Sequence, residues 1–122
     1  MRDRRLGGAA VNVRGQSLLW LAQRASAMIL AVCIIVHLIT IIYAVNDGLS
    51  AQEILNRTRG NLFWGAFYLV FVGAVAVHAP IGLRAILSEW AHWRGRSLDL
   101  GVLAVGVVLA AAGLRAVWAV YA

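Results

Sequence analysis

Two histidines, His37 and His78, each stand near the middle of a long apolar run. An imidazole in hydrocarbon costs enough free energy that it is kept there for pairing, proton relay or metal binding. Its nitrogen is also a common axial ligand of haem iron, so two such histidines on separate runs raise haem ligation beside the plainer alternative of an interhelical hydrogen bond. Arginines accompany them. Arg24 lies one to two turns inside the first apolar helix, with Ser26, Gln23 and Trp20 close by. A cation at that depth can hydrogen-bond a quinone carbonyl or a haem propionate, or it can snorkel to the interface. Arg84, six residues beyond His78, and Arg115, seven residues from the C-terminus, are placed to meet an anion near opposite membrane surfaces or to act as topology and lipid contacts. No HExxH, CxxC, GxSxG or phosphate-loop pattern occurs, and the 5 acidic residues fall outside the apolar centres. Hydrolysis and carboxylate-coupled ion transport are therefore poor readings.

The elements that position these residues follow from composition. A chain of 122 residues that is 62% hydrophobic and only 13% charged, with a mean hydropathy of +0.81, is one small integral membrane domain rather than a soluble one. Three segments reach the roughly 20 apolar residues that a span needs, at about 18–45, 61–88 and 100–121. The predicted fold is thus all-α, with three transmembrane helices. All 11 basic residues are arginine and the net charge is +6. Such an excess on a membrane protein sets topology or meets anionic groups, and nucleic-acid binding is the poorer reading. Arg2, Arg4, Arg5 and Arg14 precede the first span and Arg94 and Arg96 follow the second, against Arg57 and Arg59 between them. The positive-inside rule then predicts a cytoplasmic N-terminus and an outer C-terminus.

Residues 1–16 are predicted to be a cytoplasmic arm that docks on a partner or on lipid, and residues 17–122 the membrane domain, with Ser17 as the first N-cap. Ser50 followed by Glu53 has capping-box spacing, which predicts a short surface helix between the first two spans. Asn61 opens the second span, and Pro80 inside it frees a carbonyl that neighbours must satisfy. The third span is rich in Gly and Ala, which let helices approach closely in lipid. Cys33 is the only cysteine, so no intrachain disulfide forms.

Helical rise places the two histidines at different depths. His37 falls roughly 12 Å from the outer end of its helix and His78 roughly 25 Å below the outer face. They cannot share one iron. As haem ligands, each would need a second axial ligand from another chain, so the bundle is expected to be completed by a second copy of this subunit or by a similar partner subunit. Ala74 and Gly82, one turn either side of His78, would leave room for a flat ring.

The stretch HAPIGLRAILSEW from His78 to Trp90 resembles the second-helix signature of the cytochrome b membrane anchors of succinate dehydrogenase and fumarate reductase: a histidine, a glycine four residues on, then arginine and a terminal acid. QRASAM at Gln23 to Met28 resembles the first-helix signature in which arginine, one residue, then serine line a quinone pocket. Gln23 stands where that family often has histidine, Ala27 where it often has glycine, and Trp20 where some members have a small polar residue. His37, in VHLI, is similar to the first-helix ligand of the two-haem anchors. The resemblance implies haem b on His78 and a second haem on His37, with Arg84 and Arg115 on propionates. It implies quinone near Arg24, Ser26, Gln23 and Trp20, and electron transfer from an iron–sulfur subunit that is itself served by a flavoprotein. The chain alone would not be catalytic for succinate. The competing readings are a haem-free structural or assembly membrane protein and the anchor of a different flavoprotein dehydrogenase.

Overall fold

The computed structural model describes the backbone of residues 2–48 and 50–122, and the side chains of residues 13–48 and 50–122. The arginine cluster Arg2, Arg4 and Arg5 thus lies outside the described side chains. Four helices follow in order: α1 (Arg2–Asn46), α2 (Ala51–Thr58), α3 (Leu62–Trp90) and α4 (Arg96–Tyr121). Three are long and apolar enough to cross a membrane, over Val13–Asn46, Leu62–Trp90 and Arg96–Tyr121. The chain is an all-α integral membrane protein. Helix α1 begins well before the expected cap, so Ser17 lies inside it. The residues ahead of Ser17 hold no proline, and the helix runs on through them, Gly7, Gly8 and Gly15 included.

The caps of the two middle helices match the local sequence. Ser50 accepts a hydrogen bond from Glu53 N at 3.2 Å and starts α2. Asn61 Oδ1 accepts from Phe63 N at 3.0 Å and Trp64 N at 3.4 Å and starts α3. These contacts satisfy backbone donors that the helices cannot satisfy internally.

Helix α3 is the middle of the bundle, with α1 on one side and α4 on the other. Covered residues of α1 include Gln23, Ser26, Leu30, Cys33, His37, Thr40 and Ala44, in alternating three- and four-residue steps. That is the seam of one helix wound against another. Partners across it hold a constant antiparallel register: Gln23 faces Gly82, Ser26 faces His78, and His37 faces Tyr68. The outward faces of α1 and α4 remain apolar and exposed, with Met28 72%, Val32 63% and Val108 65% open. Lipid or another chain must cover them.

The α3–α4 contact depends on glycine. A Cβ at Gly106 would stand 2.8 Å from Pro80 Cγ, and one at Gly113 would stand 2.6 and 2.8 Å from the two methyls of Val72. Pro80 removes the donor that would have bonded the Ala76 carbonyl. The backbone of α4 closes over that carbonyl, since the same Gly106 Cβ would lie 3.6 Å from Ala76 O. Helix α3 therefore passes through Pro80 unbroken.

At the end of the bundle that carries α2, the last carbonyls of α4 are bonded from outside their own helix. Thr58 Oγ1 shares its one hydrogen between two carbonyls, Val120 O at 2.8 Å and Ile54 O at 3.0 Å, and Gly60 N donates to Tyr121 O at 2.8 Å. Orphan carbonyls at a helix end are costly where water is scarce. Thr58→Val should therefore lower the stability of the purified protein by roughly 1–2 kcal/mol, whereas Thr58→Ser should be close to wild type. Thermal unfolding in detergent reads the difference, and equal melting of the valine variant and wild type would remove this capping role.

Candidate functional site

Ser26, His78, Gln23 and Gly82 come together on the α1–α3 seam, toward the α3–α4 loop end of the bundle. Ser26 is buried, with 4% of its surface open. Its hydroxyl donates to Gln23 O at 3.1 Å, one turn back along α1, and its oxygen lies 3.4 Å from His78 Nδ1. A hydroxyl has one hydrogen. With that hydrogen on Gln23 O, the contact to the imidazole runs from Nδ1–H to Ser26 Oγ, a long hydrogen bond. The neutral ring then carries its bare lone pair on Nε2, and no hydrogen bond among the described residues uses that atom. An imidazole in this state can ligate iron.

The face expected to hold a flat ring is only partly open. The side-chain amide of Gln23 fills the space over Gly82, where a Cβ would meet Gln23 Nε2 at 3.1 Å. This packing follows from the seam register, which sets Gln23 opposite Gly82. Gln23 Oε1 is buried with no hydrogen-bond partner among the described residues. A separate groove of about 320 Å³ runs between α1 and α3, bordered by Ala25, Ser26, Ile29, Val70, Gly73 and Ala74, and His78 itself does not line it.

Arg24 does not join this cluster. It is exposed, with its guanidinium carbon 5.7 Å from the centre of the Trp20 ring. Two residues apart on a helix, Arg24 and Ser26 point to different sides. Arg84 pairs through Nε with Asp99 Oδ1 at 2.8 Å, and with both side chains about half exposed the pair adds little stability. Arg115 is exposed on α4 and lines neither lobe of the cavity around His37.

His37 occupies a separate place, near the α2 end. Ser26 and His37 are eleven residues apart on α1, and their partners His78 and Tyr68 are ten apart on α3, so the two imidazoles sit about 15 Å apart along the bundle. His37 Nδ1 is 3.3 Å from the Tyr68 hydroxyl, and its ring meets both Tyr68 and Phe71 edge to face at 5.7 Å. It borders a cavity with adjoining lobes of about 380 and 170 Å³, which share His37, Ile54, Thr58 and Tyr68. No feature of the sequence marks Tyr68 or Thr58 as partners of this cavity. Tyr68 lies ten residues before His78, a separation that matches no local motif but becomes a contact once the seam register is known. Thr58 sits in the last turn of a short helix, where only the position of α4 gives it a role.

Among the described residues no three of His, Cys, Asp or Glu gather into a metal-binding group. A macrocycle that brings its own equatorial nitrogens needs only an axial ligand from protein, so the donor set of His78 and Ser26 fits haem better than a bare ion.

The fold and this site define a polytopic all-α membrane protein with an imidazole set beside a buried serine inside its helix seam. The family model of the succinate dehydrogenase/fumarate reductase transmembrane subunit matches residues 8–114, and the chain belongs to that family. No curated protein sequence and no solved structure gives a significant match.

Proposed function

We propose that this chain is the cytochrome b anchor of a succinate:quinone or quinol:fumarate oxidoreductase, in a prokaryotic cytoplasmic membrane with its N-terminus inside. Family membership supports the anchor role. The observation that carries the finer reading is the placement of His78, whose Nδ1 lies 3.4 Å from Ser26 Oγ while no hydrogen bond among the described residues uses Nε2. His78 would hold haem b, with a second axial ligand from an identical or similar anchor chain seated along the α1–α3 groove. When bound, that haem would store and relay electrons between the iron–sulfur subunit and quinone. Arg84, through the guanidinium nitrogens that Asp99 does not occupy, would meet a propionate.

Quinone would bind near Arg24, whose guanidinium donates to a carbonyl beside the flat face of Trp20. Residues 1–16 would form the surface facing the iron–sulfur subunit, which a flavoprotein serves in turn. His37 would hold a second haem nearer the outer face, with Arg115 as its cationic neighbour, provided that Tyr68 accepts a hydrogen bond from Nδ1–H. The Tyr68 contact also favours another role for His37. If the phenol donates to Nδ1, the proton sits on Nε2 and the pair is an interhelical hydrogen bond inside an apolar cavity.

A reduced-minus-oxidised spectrum of the complex purified through this subunit tests the reading. The expected result is a b-type difference spectrum in a preparation that also contains flavoprotein and iron–sulfur subunits. The absence of any Soret or α-band change would favour a haem-free structural or assembly protein. A different flavoprotein among the co-purifying chains would point to another dehydrogenase. Arg24→Leu should raise the KM for quinone at least tenfold with haem content unchanged, as expected for loss of a charge-assisted bond worth roughly 1.5–3 kcal/mol.

A further inference from the structure

We propose that Ser26 is the positioning residue of His78, holding its imidazole in the tautomer and rotation that leave Nε2 bare for iron, and that Ser26 is not a quinone contact. This rests on the reading of His78 as a haem ligand. Three observations carry it.

First, Ser26 is 4% exposed and borders the α1–α3 groove from inside the seam, whereas Arg24 is exposed on the outside of α1. Second, both functions of its hydroxyl are in use, the hydrogen on Gln23 O at 3.1 Å and the oxygen beside His78 Nδ1 at 3.4 Å. A quinone carbonyl needs a donor, and this one is committed. Third, Arg24 lies two residues earlier, with its guanidinium over Trp20 on another side of the helix. The arginine and the serine therefore serve different ligands although they are neighbours in sequence.

His37 supplies the contrast within the same seam. Its Nδ1 faces a phenol that can either donate or accept, so nothing there selects the ligating tautomer. At His78 the serine hydroxyl has a second acceptor, the Gln23 carbonyl at 3.1 Å, nearer than Nδ1 at 3.4 Å, and this competition biases the hydrogen away from the imidazole. A partner on the second ring nitrogen orients a metal-bound histidine and raises its basicity, and its loss typically weakens binding 10–100-fold.

The test uses the purified complex carrying Ser26→Ala or Ser26→Thr. Ser26→Ala should weaken haem retention about tenfold or more, shift the g-values of the ferric haem in low-temperature electron paramagnetic resonance, and raise its midpoint potential, because a less basic imidazole stabilises ferric iron less. It should lower kcat and leave the KM for quinone where it was. Ser26→Thr keeps the oxygen and should restore the g-values and the potential. An alanine variant with wild-type retention, g-values and potential would overturn the proposal, as would one whose main change is a raised quinone KM. A wild-type complex without haem would overturn the underlying reading as well, which separates the two failures.

Discussion

His78→Ala should leave the purified complex with less than about a tenth of its haem b. The loss should exceed that from any change at Ser26, because removing an axial ligand costs more than removing the group that orients it. The helix seam itself should survive, since Ala74 one turn away on α3 is already small and buried. His37→Ala should leave the His78 haem in place. The two residues lie about 15 Å apart along the bundle and contact different partners, Ser26 in one case and Tyr68 in the other. Pyridine haemochrome content per chain, measured for both variants beside wild type, checks this. Full haem content in the His78 variant would end its assignment as ligand. A fall by half in the His37 variant would mean that the second histidine also holds a haem.

Gly113→Ala should destabilise the membrane domain by about 1–3 kcal/mol, a large effect for one methyl group. The added Cβ would stand 2.6 and 2.8 Å from the two methyls of Val72 and 3.2 Å from its Cβ. Rotating a β-branched side chain cannot clear all three contacts, so α4 would have to move away from α3. Helix association in lipid draws on close packing more than on burial from water, so a lost contact there is not offset elsewhere. Val72→Ala should rescue the variant, because it removes both methyls that the new carbon strikes. A double-mutant cycle on thermal stability in detergent reads the coupling, which should be of opposite sign to the single effects. Additive single effects would show that the two helices do not meet at these residues.

The contrast between these two predictions reflects what could be read from the chain alone. His78 stands out in any reading, because a histidine amid apolar residues is expensive and its helix is marked by length and hydropathy. The three spans, the Ser50 cap of α2 and the Asn61 cap of α3 are local properties, set by hydrophobic length and by hydrogen bonds within a few residues. The start of α1 was misjudged for the same reason in reverse. A serine before an apolar run has the form of a cap, but nothing upstream of Ser17 breaks the helix.

Partners across the seam were not legible. Nothing in Gln23 or Gly82 says that one fills the space over the other, and the small residues flanking His78 looked equally open until the register of α1 closed one of them. Ser26 and Arg24 look like one motif in sequence because they are two residues apart, yet a helix turns them to different sides. Gly106 and Gly113 read as general permission for close packing. Which side chains they admit, Pro80 and Val72, depends on the offset of α4 against α3.

The sequence by itself therefore determined the class of protein, the number of spans and the residues costly enough to need a function, because these follow from transfer free energy and local hydrogen bonding. Only the tertiary structure decided that Ser26 belongs to His78 while Arg24 stands apart, and that Tyr68 shares His37. Those pairings depend on the register between helices, which is set by the packing of many small contacts along a seam and is written in no single residue.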